Sequence, residues 1–354
     1  MKIAAVETWP VATPLARPYA IAGHRTSEVE LWMVRLEDER GEVGLGCASP
    51  EPTVTGEDLA ACGESLSQRS VEWLVGRHMD GLGRLVAEVA HRHGATPAAA
   101  AALDTALHDL WARRVGRPLC DLLGRVHERL PTSITLGIRP REESVEEAEE
   151  AVGRGFRVLK VKVGDDLEQD LERLAAIRAR VGTRIAIRVD ANCGYRLAEV
   201  ERFFTDTATL DLEFLEQPLA RIADAELAAL APEWRARLAA DESLLGPSDA
   251  LRLAAGPFGV WNVKLMKCGG IRPALTIAGV AETAKLDLMW GCMDESVVGI
   301  AAALHAALAS PATRYLDLDG SFDLARDPAV GGFELVDGEL APLRRPGLGV
   351  ELAP

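Results

Sequence analysis

Val158-Leu159-Lys160-Val161-Lys162-Val163-Gly164 is a short apolar strand that carries two cations and is closed by a glycine. The β-branched residues Val158, Val161 and Val163 favour extended backbone, and a strand's period of two puts Lys160 and Lys162 on one face. Two ammonium groups side by side on an apolar strand are expected to lower each other's pKa, because like charge and desolvation both disfavour the protonated form. A lysine lowered in that way works as a base near neutral pH. The plainer alternative is an edge strand whose lysines block aggregation, or a strand end reaching solvent. The residues downstream decide between them.

Around this stretch the chain repeats strand, turn and helix. Strands are expected at Ser133–Gly137, Val158–Val163, Ile185–Val189, Glu213–Leu215, Leu238–Ala240, Val260–Lys264, Leu286–Gly291 and Tyr315–Leu318. Amphipathic helices such as Ser144–Arg154, Leu167–Val181, Leu197–Thr207 and Ala274–Ala284 lie between them. Strand starts are roughly 20 to 30 residues apart, about one βα unit each, and eight such units suit a (β/α)8-type barrel. An open doubly wound sheet would want a glycine-rich phosphate fingerprint after its first strand, and none is present.

Upstream the texture differs. Glu30–Glu37 and Val43–Ala48 read as antiparallel strands around the turn Asp38–Glu42, with a polar loop from Pro18 to Glu28 that holds His24 and Arg25. Thr96-Pro97 opens an alanine-rich helix through Leu103, Leu107, Leu110 and Trp111, and Gly116-Arg117-Pro118 closes it. His108 in that helix reads as a packed histidine rather than a ligand. The expected division is an α+β capping domain over residues 1–125, a barrel over 126–320, and a segment 321–354 returning to the cap.

Composition narrows the function. With 354 residues and 48% hydrophobic content the chain can bury a large core, and a net charge of −15 with pI near 5.0 argues against nucleic acid or an anionic membrane as partner. No apolar run approaches membrane-spanning length, and Glu7 falls where a signal peptide's apolar core would lie, so a cytoplasmic location is expected. Cys47, Cys62, Cys120, Cys193, Cys268 and Cys292 are widely spaced and are expected as reduced thiols.

A barrel places its chemistry at the carboxyl ends of its strands. Those ends carry Lys160 and Lys162, then Asp190, Glu216, Asp241 and Lys264, then Asp294 with Glu295, and finally Asp317 with Asp319. Each of Asp190, Glu216 and Asp241 follows an apolar run, where a carboxylate is unfavourable without a partner. Any one of them alone could be a helix N-cap. Three in register, flanked by lysines, point to a hard divalent cation with oxygen ligands, and Mg²⁺ suits a site that keeps positions open.

The motifs Lys160-Val-Lys162, Asp190-Ala-Asn192, Glu216-Gln-Pro218, Asp241-Glu-Ser243 and Lys264-Leu-Met-Lys-Cys-Gly-Gly resemble the enolase superfamily, in its muconate-lactonizing-enzyme-like subgroup. The pair Asp317-Leu-Asp319 resembles that of the dipeptide epimerases, where it holds the substrate's α-ammonium. The resemblance spans essentially the whole chain and implies a (β/α)7β TIM-type barrel with an N-terminal α+β capping domain. It implies Mg²⁺ on Asp190, Glu216 and Asp241, with Asn192 supporting the ligands. Lys162 and Lys264 are implied as the two bases of a 1,1-proton transfer through an enediolate, with Lys160 assisting. Lys267 is read as leaving the strand. The device of a lysine base with Mg²⁺ is the superfamily's own.

Substrate contacts are expected from Asp317, Asp319, Asp294, Glu295 and Thr135, and from Arg25 or His24 in the capping loop. Relatives that act on Ala-Glu dipeptides use a basic residue in that loop. A second acid at Asp294 favours neutral or cationic side chains instead. The other readings are a cycloisomerase or o-succinylbenzoate-synthase-like enzyme of the same subgroup, or a non-catalytic barrel that binds a carboxylated metabolite. Assembly as a homo-oligomer is expected.

Overall fold

Three antiparallel strands open the chain: β1 (Ile3–Ile21), β2 (His24–Asp38) and β3 (Val43–Ala48). The computed structural model describes residues 2–21 and 24–354, and the side chains of 17–26, including His24 and Arg25, lie outside the description. The stretch from Pro18 to Glu28, expected as a polar loop, is strand instead in its described residues. These continue the hairpin, with Tyr19 opposite Thr26 and Ile21 opposite His24. The register shifts between Pro14 and Tyr19, an irregularity that suits prolines unable to donate to a ladder.

The helix Pro97–Val115 starts on a proline and ends at Gly116 in the left-handed conformation, as its sequence signals suggest. It lies directly on β3, where a Cβ on Gly46 would come within 1.9 Å of the Ala102 carbonyl oxygen. Only glycine permits that approach. Asp109 accepts from the amides of Leu45 (2.9 Å) and Leu348 (2.7 Å), and Asp104 from Ile271 (2.7 Å), so one helix ties the cap to two distant segments. His108 is buried, its Nδ1 bonded to the Asp104 carbonyl at 2.8 Å, which makes it a packed histidine.

After the short β4 (Leu130–Pro131) come eight parallel strands: β5 (Ser133–Leu136), β6 (Val158–Lys162), β7 (Ala186–Asp190), β8 (Leu212–Glu216), β9 (Leu238–Ala240), β10 (Val260–Val263), β11 (Asp287–Gly291) and β12 (Thr313–Asp317). They hydrogen-bond in sequence order, and each lies within a few residues of its expected place. The seam between β12 and β5 is closed by a bridge from Thr132 to Leu316. Leu318 N–H also donates to Thr132 Oγ1 at 2.9 Å.

Alternation along these strands builds two surfaces. Leu159, Val161, Ile187, Val189, Leu215, Trp261 and Leu288 point outward under the helices and form the main core. Full burial of such side chains contributes about 1.5–3 kcal/mol each. Phe214, Ala239, Val260 and Met289, with Tyr315, point inward and pack as an apolar plug. Arg188 closes the plug, its guanidinium 4.8 Å from the Tyr315 ring and its Nε 2.7 Å from Glu213. Two residues further along each strand, the inward positions stand above the plug at the carboxyl ends.

Among the described residues no helix follows β12, so the barrel is (β/α)7β. The chain ends in β13 (Ala329–Gly331) paired with β16 (Val350–Leu352), and β14 (Phe333–Val336) with β15 (Glu339–Pro342), which pairs β4. This segment touches the cap through Ala16 N–H on the Asp323 carbonyl (2.7 Å) and Ala325 N–H on that of Pro14 (2.9 Å). No helix among the described residues is long and apolar enough to cross a membrane.

Candidate active site

The layer above the plug is charged. Lys160 Nζ sits 2.8 Å from Asp317, 2.8 Å from Glu216 and 3.0 Å from Asp190. Burial pushes its ammonium down, but Asp190, Asp317, Glu216 and Asp241 together hold it well above its ordinary value. This corrects the expectation of a mutually lowered lysine pair for Lys160, because a strand's period cannot show how many carboxylates the neighbouring strands deliver. Lys162, one alternation further on, donates to Asp190 Oδ2 (2.7 Å) and Asn192 Oδ1 (2.8 Å). Asn192 Nδ2 also reaches Glu242 at 3.2 Å.

Asp241 is gripped by two lysines. Lys264 Nζ lies 2.9 Å from Oδ2 and Lys267 Nζ 2.5 Å from Oδ1. Lys267 also donates to the carbonyls of Asp241 (2.7 Å) and Asn262 (3.1 Å), so all three of its protons are engaged. Burial opposes ionisation of Lys264, yet Asp241 holds it above its ordinary value; burial pulls Lys267 below its own. Lys267 is therefore part of the site. The chain turns helical at Leu265–Cys268, which brings a side chain three residues on back over the strand end.

Asn262, which strand-end acids and lysines alone do not point to, joins the same layer. It is fully buried on β10 and donates to Glu216 Oε1 at 2.7 Å, in room left by Gly291, where a Cβ would fall 2.4 Å from Asn262 Oδ1. A polar residue inside Val260-Trp261-Asn262-Val263 was the available signal. Gln217 accepts from the amides of Asp241 (3.0 Å) and Ser243 (3.1 Å), bracing the β9 end from the β8 end.

The eighth-strand acids have different surroundings. Asp317 binds Lys160 through Oδ2 and accepts from Ser133 Oγ at 2.6 Å through Oδ1. Against burial, Lys160 holds its carboxyl below the usual range. Asp319 accepts from the Thr135 amide at Oδ2 (2.6 Å) and from Cys292 Sγ at Oδ1 (3.9 Å), and burial beside Asp317 and Asp323 pushes it up to about 7. An ammonium arriving there would relieve that.

Glu295 is buried against the helix Val297–Ala307. Its Oε1 accepts from Met293 N–H (3.0 Å), and its Oε2 lies where a Cβ on Gly299 would come within 1.9 Å. Burial pushes it up to about 8, against the Met293 amide and the charge of Lys264, which both lower it. Asp294 is half-buried, and its carbonyl accepts from Ser49 Oγ of the cap at 2.7 Å.

Asp190, Glu216 and Asp241 could hold a hard cation. Among the described residues no three metal-ligating side chains converge as a ready cluster, because each carboxylate is drawn to an ammonium. The charges nevertheless do not balance around Glu216. Its Oε2 is buried with no hydrogen-bond donor, since Lys160 at 2.8 Å lies off the bonding direction. Burial and the adjacent Asp190 push Glu216 up to about 8. Three oxygen donors with one acid short of countercharge fit a divalent ion that keeps part of its water.

Two family models cover nearly the whole chain: Mandelate racemase / muconate lactonizing enzyme, N-terminal domain, over residues 3–124, and Enolase C-terminal domain-like, over 143–354. The chain is 53% identical over 352 residues to the L-Lys-D/L-Arg epimerase of Methylococcus capsulatus, covering 99% of each. It is 50% identical over 353 residues to the L-Lys-D/L-Arg epimerase of Desulforapulum autotrophicum, again covering 99% of each. The crystal structure of the dipeptide epimerase from Methylococcus capsulatus complexed with Mg and the dipeptide L-Arg-D-Lys superposes with a TM-score of 0.97 at 53% identity, covering 99% of each chain. With the barrel, the cap and the lysine-carboxylate layer in agreement, the chain belongs to the mandelate racemase / muconate lactonizing enzyme family of the enolase superfamily, among its dipeptide epimerases.

Proposed function

We propose that this protein is a Mg²⁺-dependent epimerase that inverts the α-carbon of the C-terminal residue of dipeptides with cationic side chains, using Lys162 and Lys264 as its two bases. The observation that carries this is topological. β6 and β10 stand four strands apart in a ring of eight, so Lys162 and Lys264 reach one carboxylate layer from opposite sides. Asp190 and Glu216 end two of the three strands between them, and Asp241 directly follows the third.

Two bases on opposite faces of a carbon can remove a proton from one side and return it on the other. A Mg²⁺ held by Asp190, Glu216 and Asp241 supplies Lewis-acid stabilisation of the charge that grows on the substrate carboxylate as the α-proton leaves. Lys162 takes the proton from one epimer and Lys264 from the other, while Lys160 adds fixed positive charge beside the same carboxylate. Neutralising the acids also weakens the field that keeps Lys264 protonated. Asn192 and Glu242 brace Lys162, and Asn262 and Lys267 brace Glu216 and Asp241. Asp319, with Asp317, receives the dipeptide's α-ammonium. This favours a dipeptide over the cycloisomerase or o-succinylbenzoate-synthase-like alternative, whose substrates carry no such cation. Asp294, half-buried beside Glu295 just past the end of β11, adds negative charge that would attract a substrate's cationic side chain.

Screening a dipeptide library for α-proton exchange in D₂O tests the assignment. Lysine- and arginine-containing dipeptides are expected to exchange fastest, and a preference for Ala-Glu would overturn the cationic reading. Asp294→Asn should lower kcat/KM for those dipeptides by about 10-fold, the scale of one lost charge-assisted contact, with little effect on Ala-Ala. An equal loss on every dipeptide would count against that role.

The support given to Asp241 can be measured without turnover. Lys267→Met keeps most of the unbranched side chain and removes its donors. It is expected to weaken Mn²⁺ binding by about 10-fold or more, read by electron paramagnetic resonance. Unchanged affinity would mean that Asp241 needs no such brace.

A further inference from the structure

A second buried cluster lies behind Lys162, away from the carboxylate layer. Its hub is Asp170, in the first turn of the helix Leu167–Val181. Asp170 accepts from Gly164 N–H (2.8 Å), from Tyr195 Oη–H (2.8 Å) and from Arg173 Nη2 (2.6 Å). The same Arg173 nitrogen donates to the backbone carbonyl of Lys162 at 2.6 Å. Asp170, Arg173 and Tyr195 are all buried. A charged hub with three donors at this depth has a large desolvation penalty to offset, and a uniquely positioned backbone is what it can give in return.

Two segments meet at this hub. One is the end of β6, where Gly164, two residues after Lys162, holds φ of 113°. The other is the loop after β7, where Asn192 and Cys193 hold φ of 40° and 66°. Non-glycine residues rarely occupy that region, and two in succession store strain that the surroundings must hold. The segments touch backbone to backbone, since a Cβ on Gly194 would fall 2.2 Å from the Gly164 carbonyl oxygen. Tyr195 ends the strained loop, its amide on the Pro218 carbonyl (2.9 Å) and its hydroxyl on Asp170. The hub thus sets the distance between Lys162 and its partner Asn192. Lys264 is braced separately, through Asp241 and Lys267.

We infer that Asp170, Arg173 and Tyr195 are positioning residues for Lys162, and hence act chiefly on proton transfer at one face of the substrate. The inference rests on the two-base reading above. Small displacements of a base from the reacting carbon are costly in rate, and a base on the far side of the barrel should not feel them.

The test compares Tyr195→Phe, which removes one hydroxyl, with Arg173→Met, following exchange of each epimer of an arginine-lysine dipeptide in D₂O. Lys162→Ala serves as reference, and thermal melting checks folding. In Tyr195→Phe, exchange from the epimer that Lys162→Ala silences should fall about 10-fold, with the other epimer within about two-fold of the parent. Arg173→Met should show the same one-sided loss, and more of it. If Lys162→Ala is one-sided but Tyr195→Phe slows both epimers equally or neither, the positioning role is wrong. If Lys162→Ala slows both epimers alike, the two-base reading fails and takes this inference with it.

Discussion

Lys162→Ala and Lys264→Ala should each abolish epimerisation, a loss of about 10²–10⁴-fold, the contribution of a positioned general base. The more telling result is what survives. Each variant should still wash deuterium into the α-position from one epimer, and the two variants should keep opposite epimers. This follows from where the lysines stand. Lys162 reaches the layer from β6 through Asp190, and Lys264 from the end of β10 through Asp241, half a barrel away. A single base serving both faces would have to cross the substrate, and the fixed partners of either lysine oppose such a swing. The two-base picture would not survive if both variants retained exchange of the same epimer.

Dialysis against EDTA is expected to bring turnover to background, and added Mg²⁺ to restore it. The reasoning is electrostatic. Burial and Asp190 push Glu216 up to about 8, while Lys160 and Lys162 outweigh burial to hold Asp190 down at about 2. Asp190 and Glu216 share the single ammonium of Lys160, whose one charge covers the pair only in part, and a divalent ion would supply the rest. Glu216→Gln keeps the shape of the side chain and its contact with Asn262 while removing the charge. The Mg²⁺ concentration for half-maximal activity should rise by about 10-fold or more. Full turnover in a thoroughly stripped sample would rule out the cation. Unaltered Mg²⁺ dependence in Glu216→Gln would remove Glu216 from the ligands.

Most of the barrel was legible because burial on two faces and a repeating βα unit leave a strong periodic trace. Ile187 and Val189 outward with Arg188 and Asp190 inward is a pattern that one-dimensional alternation already contains. The strand-end acids were legible for the same reason, since a carboxylate after an apolar run is conspicuous. Less was visible at the hairpin of β1 and β2, where Pro18 to Glu28 read as loop although the ladder resumes there with a shifted register.

From the sequence alone one could tell which residues point into the barrel and which charges stand at its mouth, because side-chain direction along a strand depends only on parity. Only the tertiary structure decided what those charges do. Lys160 is held protonated because three strands deliver acids to it, Glu295 is buried and accepts from the Met293 amide, and Lys267 returns to grip Asp241. A pKa or a hydrogen bond depends on the groups within a few ångströms, and those come from residues up to 157 positions away in the case of Lys160 and Asp317. Distance in space is the quantity that no local pattern records.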